Sequence, residues 1–180
     1  DTVTTNINNA KYHYAGSAIP DIYGGITNTL TYKNFELSFL LSYQIGGKVY
    51  DATYAALMHE STYGTALHKD ALKRWQKAGD KTNVPRMDAS ETTNLASATS
   101  DRWLTDASFL NLRRVSLGYT LSKRAISRLH LDAVNVFVSG ENLAMFSARK
   151  GMNITQSFTG VTSNGYVPSR IVTFGINVSL

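Results

Sequence analysis

The sequence predicts an all-β fold: an antiparallel transmembrane β-barrel segment of about five strands, with a short helix in a long connection. Three observations predict it. Stretches that are apolar on one face and small or polar on the other recur along the chain with period two, as the side chains of a strand do. The connections between these stretches alternate short, long, short, long. Charged residues make up only 17% of the chain, against about 25% in soluble domains.

The first twenty residues carry little periodicity. Asn6, Asn8, Asn9 and the stretch Ala15-Gly16-Ser17-Ala18 read as loop, and Pro20 with Gly24-Gly25 punctuates the entry to regular structure. The glycine pair reads as a bulge or a close backbone approach. A strand GGITNTLTY then leads through Lys33-Asn34 into FELSFLLSYQI. In the latter, Phe35, Leu37, Phe39, Leu41, Tyr43 and Ile45 share one face, and Glu36, Ser38, Leu40, Ser42 and Gln44 the other. Leu40 is the only apolar intruder. The tight turn makes the pair a hairpin.

Residues 46–106 break the pattern. Gly46-Gly47 ends the strand. LHKDALKRWQKAGD (residues 67–80) predicts a helix, with Leu67, Ala71, Trp75 and Ala78 as an apolar stripe, Lys69, Lys73 and Lys77 as a solvated one, and Gly79 as its stop. Trp75 reads as packing for that helix. A polar run follows from Ser90 to Ser100. A connection of about sixty residues far exceeds the usual four to six, and ordered loops of that length usually serve function.

The third strand is SFLNLRRVSLGYTL, with Val115, Leu117, Tyr119 and Leu121 facing one way. Continuing that register places Arg113 outward, at the outer rim with its head among lipid headgroups, where an arginine costs about 0–1 kcal/mol rather than 2–4. A bulge at this point is the alternative. Residues 122–130 form a basic turn containing one helical turn. The fourth strand, AVNVFVSGENLAMF, puts Val134, Val136 and Val138 on one face, with Phe137 intruding on the polar one. Residues 147–167 form a second long connection. From Ile171 the chain alternates strictly: Val172, Phe174, Ile176, Val178 and Leu180 against Ile171, Thr173, Gly175, Asn177 and Ser179.

Short turns at one end and long loops at the other are the habit of outer-membrane barrels, whose long loops are extracellular. Ten tyrosines and 11% aromatic residues suit interfacial girdles. No apolar run reaches the length of a transmembrane helix. The chain opens with Asp1 rather than Met, which suggests a fragment or processed piece.

Composition excludes several chemistries. There is no cysteine, hence no disulfide framework or thiolate chemistry. Net charge is +5 but diffuse, so no nucleic-acid footprint is expected. His59-Glu60 lacks the second histidine of a H-E-x-x-H helix, and no G-x-S-x-G elbow occurs. Gly46-Gly47-Lys48 is followed by Val49 and reads as a strand end rather than a phosphate loop. Asn153-Ile154-Thr155 is a glycosylation sequon by letters only. No catalytic residue, metal or cofactor is expected. Tyr54 and Tyr63, in the long connection, are candidates to stack on a sugar or peptide, against a plain role in loop packing or lid contact.

The blocks GSAIPDIYGGITNTLTYKNFELSFLLSYQIGGKVYD, ALKRWQKAGDKTNVPRM, DRWLTDASFLNLRRVSLGYTLSK and VFVSGENLAMF, with the terminal TFGINVSL, together resemble the SusC/RagA-type TonB-linked outer-membrane transporters of Gram-negative bacteria. They cover most of the chain in the family's order. The chain ends in Leu180 where the family commonly has an aromatic, and Met152-Asn153-Ile154 stands where an Asp-Pro pair is expected. The resemblance implies that residues 1–180 are the C-terminal part of one barrel domain of roughly 22 strands with a plugged lumen, the plug and N-terminal strands lying elsewhere. It implies that residues 46–106 and 147–167 are extracellular loops. It further implies import of oligomeric nutrients, glycans or peptides, under a SusD-like surface lipoprotein lid, with energy from TonB acting through the absent N-terminal part. A rival reading is a soluble, secreted β-sandwich that binds carbohydrate, whose apolar faces would meet each other rather than lipid. A sheet that cannot close by itself leaves backbone groups unpaired, so the isolated chain is expected to aggregate without detergent.

Overall fold

The computed structural model describes residues 6–58, 64–87, 98–127, 131–149, 152–156, 159–162 and 167–179. His59-Glu60, Tyr63, most of the Ser90–Ser100 run and Leu180 lie outside them. Among the described residues eight strands occur in chain order: β1 (Ile22–Tyr32), β2 (Phe35–Ile45), β3 (Lys48–Asp51), β4 (Leu104–Asp106), β5 (Phe109–Thr120), β6 (Ala133–Ser147), β7 (Val161–Thr162) and β8 (Ile171–Ser179). The helices α1 (Ala52–Leu57) and α2 (Lys123–Ile126) are short. No described helix is long and apolar enough to cross a membrane.

β1, β2, β5, β6 and β8 form one sheet in that order, each antiparallel to its neighbour. These are the five strands the alternation predicts. Residues opposed across an antiparallel ladder share a face, so the register shows how the apolar stripes meet. Tyr32, Phe35 and Tyr119 align across three strands, as do Leu30, Leu37 and Leu117. Val136 and Val138 align with Ile176 and Phe174. The stripes fuse into one apolar surface, and it is bare: Phe174 is 78% exposed, Ile176 67% and Ile26 52%. No second sheet packs on it among the described residues, unlike the paired inner faces of a sandwich.

Turn chemistry sets the short end. Lys33 takes a left-handed φ of 52° in the β1–β2 turn. Asn34 anchors that turn to β5, its Nδ2 donating to the Thr120 carbonyl at 2.7 Å while Thr120 N–H donates to the Asn34 carbonyl at 2.8 Å. Between β5 and β6, α2 is the single helical turn expected, and it buries Ile126 to 2% exposure.

Phe137, the intruder on the polar face of β6, fits between two glycines. Phe137 lies opposite Gly118 on one side and Gly175 on the other, and its ring occupies the space a Gly175 side chain would need. The β1–β2 register runs unbroken through Gly24 and Gly25, so there is no bulge there. The Tyr43 ring lies over Gly24, and the close backbone approach is at Gly25, where a Cβ would lie 3.3 Å from the Leu41 carbonyl oxygen.

Arg113 departs from expectation. Both ladders of β5 shift register at this point, from Leu112 paired with Leu41 and Ala144 to Arg114 paired with Leu40 and Glu141. Arg113 is therefore the extra residue of a β-bulge. It is not outward at the rim: its Nε donates to Ser42 Oγ at 3.2 Å, on the polar face. The bulge resets the phase, so Leu110 and Leu112 join Val115 and Leu117 on the apolar side.

The helix expected over residues 67–80 also fails to form. A single 3₁₀ turn spans Lys69–Lys73, and Arg74 leaves the helical region with ψ 151°. Local hydrogen bonding diverts the backbone. His68 Nδ1 accepts from Asp70 N–H, Trp75 N–H donates to the Val84 carbonyl at 2.9 Å, and Asp80 Oδ2 accepts from Gln76 and Lys77. Gly79, with φ 97°, serves that turn, and Trp75 remains 38% exposed. The short helix of the long connection is α1 instead.

Candidate functional site: the head formed by the two long connections

Both long connections leave from the same end of the sheet, and they fold together there. β3, from the first, pairs antiparallel with β4 and parallel with β7, from the second. The chain enters this head through Gly46 and Gly47, both at φ 81°. Any side chain on Gly46 would strike the Asp21 carboxylate. Gly46-Gly47-Lys48 is thus the strand-end elbow expected of it. Ser108 Oγ accepts from Gly46 N–H at 2.9 Å, and the Gly47 carbonyl accepts from Ala107 N–H at 3.1 Å.

Two apolar clusters support the head. Val49, Ala107 and Ile154 pack with Phe109 and Met152, so residues of both connections share one core. Met58, Ala71 and Trp103 pack with Tyr50, Tyr54, Ala55 and Val84. Trp103, 2% exposed, donates from its indole nitrogen to the Ala98 carbonyl at 3.0 Å. A buried indole N–H needs such a partner.

Tyr54 stands where these parts converge. Its hydroxyl donates to Asp70 Oδ2 at 3.2 Å, and its ring meets His68 and Trp103 edge-on at 4.8 and 5.9 Å between centroids. The Arg149 guanidinium lies over the ring at 3.7 Å, a favourable cation–π placement. Arg149 belongs to the second connection and also contacts Asp51, Nε to Oδ2 at 2.7 Å. The N–H is not aimed along that contact, since neither atom has a hydrogen-bond partner, so the pair is ionic. The other oxygen of Asp51 caps α1 by accepting from Tyr54 N–H at 3.0 Å.

Two carboxylates in the head are held below the usual range. The Lys73 ammonium, 3.1 Å from Asp70, is the main cause there, with the Tyr54 hydroxyl and the nearby His68 adding to it against partial desolvation. Asp106 is lowered by the Ser108 hydroxyl at 2.6 Å and its backbone N–H at 2.7 Å.

Beside β3 lies an open cavity of about 670 Å³, lined by residues including His13, Asp21, Gly46, Lys48, Asp101 and Asp106. Lys48 Nζ donates to the Ala15 carbonyl at 2.6 Å, and His13 Nε2 lies 3.5 Å from Asp101. Among the described residues, no group of three His, Cys, Asp or Glu is placed to hold a metal ion. The head offers charged, aromatic and hydroxyl groups on a braced surface, which is the chemistry of a binding face.

Of the sequence candidates, Tyr54 occupies the centre of the head and Tyr63 lies outside the described residues. Asp51, Arg149 and Trp103 are the organising residues that sequence reasoning missed. Arg149 sits 98 positions from Asp51 by number, and no local pattern links them. Asp51 alone left a trace, as an Asp opening a short helix.

An open antiparallel sheet with one bare apolar face and its long connections gathered at one end is a section of a transmembrane β-barrel wall. Comparison with known proteins agrees with that class. No family model matches the sequence. The chain is 26% identical over 183 residues to TonB-dependent receptor P3 of Formosa agariphila, an alignment covering 96% of this chain and 18% of the relative. It is 27% identical over 143 residues to TonB-dependent receptor P39 of the same organism, covering 77% and 13%. Among solved structures, the RagAB peptide transporter matches with a TM-score of 0.76 at 22% identity, covering 91% of this chain and 18% of that one. The RagAB peptide importer in the closed-closed state matches with 0.75 and the same coverage. The chain is therefore similar to TonB-dependent receptors in sequence, and it shares the fold of the RagAB chain it matches. It spans under a fifth of the length of these relatives. They are named as receptors and importers rather than enzymes.

Proposed function

We propose that this chain is the C-terminal barrel portion of a SusC/RagA-type outer-membrane transporter that imports oligomeric nutrients, glycans or peptides, in a Gram-negative bacterium. The observation that carries the proposal is the division of the sheet. One face is continuous, bare and apolar, the other is polar, and both long connections build one head at the same end. Lipid suits the first face and a wetted lumen the second.

In this reading residues 46–106 and 147–167 are extracellular, and the head they form meets the nutrient and a SusD-like lipoprotein lid. Tyr54 serves it by shaping that head, and Tyr63 is the candidate for direct stacking. The edges of β1 and β8 pair with the remaining strands, and TonB acts through the plug that the whole transporter carries. The RagAB structures, described as a peptide importer and transporter, favour an oligomeric cargo.

Growth of a deletion strain on a panel of glycans and peptides tests the proposal. Loss of growth on one oligomeric nutrient but not on its monomer, restored by the intact gene, is the expected result. Unchanged growth and uptake across both classes would overturn it.

A further inference from the structure

Arg113 and Arg114 are sequence neighbours, and on a regular strand they would point to opposite faces. Here both belong to the polar face. Arg114 lies opposite Leu40 and Glu141 in register, and Arg113, as the bulge residue, reaches Ser42. β6 carries a matching irregularity. Asn142 takes a left-handed φ of 52°, and Leu143 folds over the apolar side of Gly140, where a Cβ would lie 2.7 Å from its methyl group. The paired bulges thus withdraw an arginine from the apolar face and deliver a leucine to it.

The result is two guanidinium groups side by side, ten N–H donors between them, on a face furnished near them with Ser42, Asn111, Ser116 and Ser139. Both arginines are exposed. Among the described residues Arg113 meets one neutral acceptor, Ser42, and Arg114 meets no hydrogen-bond or ion-pair partner. Guanidinium forks match the geometry of a carboxylate and bind it bidentately.

We propose that Arg113 and Arg114 form a carboxylate-binding point on the lumen wall, which holds an acidic group of the passing solute: the terminal carboxylate of an oligopeptide or the uronate of an acidic oligosaccharide. The inference rests on the proposed function, in which this face lines the pore. Glu141, opposite Arg114, limits how tightly an anion is held, as passage requires release as well as capture.

The test uses the full-length transporter in intact outer membranes. Arg113 and Arg114 are modified with water-soluble p-hydroxyphenylglyoxal and followed by peptide mass spectrometry. The probes are an oligoalanine free acid, its C-terminal amide, an oligogalacturonate and a neutral malto-oligosaccharide at matched concentration. At least one acid is expected to slow modification severalfold, which identifies the carboxylate's source, while the amide and the neutral sugar do not. Arg114→Gln should weaken protection of Arg113 by that acid about tenfold, the value of one charge-assisted hydrogen bond. Modification in water that no acid slows would overturn the site and leave the transporter reading standing. Resistance to the water-soluble reagent with modification by lipid-soluble phenylglyoxal would overturn the topology itself. Resistance to both until the protein is unfolded would mean that another part of the chain already occupies the arginines, and would overturn the solute site.

Discussion

Arg149 and Asp51 meet at 2.7 Å and tie the second long connection to the first. Asp51 is also the cap of α1, and Arg149 also covers the ring of Tyr54. One ion pair therefore links helix capping, aromatic packing and the β3–β7 pairing.

Breaking that pair should loosen the head without disturbing the barrel wall. Removing one partner of a fully buried pair costs about 3–5 kcal/mol. Arg149 keeps 34% of its side chain exposed while Asp51 keeps 3%, so water takes back part of the cost and about 1–3 kcal/mol is expected. Asp51→Ala and Arg149→Ala should each speed hydrogen exchange at residues 48–58 and 161–162 in the full-length protein. Exchange across Phe35–Ile45 should not change. Unaltered protection of the head in both variants would refute the link.

Acid should release the same region. Asp70 has its carboxyl lowered mainly by Lys73. A lowered folded-state value means stabilisation that is complete above the ordinary carboxylate pKa, about 3.9, and is lost as pH falls through the lowered value. Protease resistance of residues 64–87 should hold from neutral pH to about 5 and decline below about 4. Asp70→Asn should flatten that profile. An acid decline that persists unchanged in Asp70→Asn would assign the effect to another carboxylate.

The Phe137–Gly175 contact predicts a conditional defect. Gly175→Ala puts a methyl group where the Phe137 ring lies, and overpacking of this kind costs about 1–3 kcal/mol. In a Phe137→Ala background the same change should cost almost nothing. Equal costs in the two backgrounds, read as urea midpoints in lipid bilayers, would show that the ring does not constrain this site.

The two faces of β8 should respond oppositely to charge. Phe174→Lys places an ammonium on the bare apolar surface and should cost about 2–4 kcal/mol if that surface meets the bilayer core. Thr173→Lys, on the polar face opposite Ser139, should be close to neutral. The readout is the yield of folded full-length protein in the outer membrane. A neutral Phe174→Lys would count against lipid contact and revive a soluble sheet.

Much of the wall was legible in the chain because a strand writes its environment with period two. The stripes of Phe35–Ile45 and Ile171–Ser179 needed no knowledge of their partners. Arg113 shows where that legibility stops. A bulge is a property of two ladders at once, and nothing in Leu112-Arg113-Arg114 states how Ala144 and Glu141 will align beside it. The 67–80 stretch fails for a related reason. Its apolar spacing suits a helix, but the Val84 carbonyl, Asp80 and the pocket around Trp103 reward an irregular path more.

The sequence by itself determined the five strands of the wall, the alternation of short and long connections, and the apolar faces of β2 and β8, because these follow from local stereochemistry and the solvent each face meets; it did not show the head strands β3, β4 and β7 or the face of Phe109–Leu112 beyond the bulge. Only the tertiary structure decided that the two long connections share a core, that Asp51 finds Arg149, and that two adjacent arginines face the same way. Those outcomes depend on packing between residues far apart in the chain, and no local periodicity records such contacts.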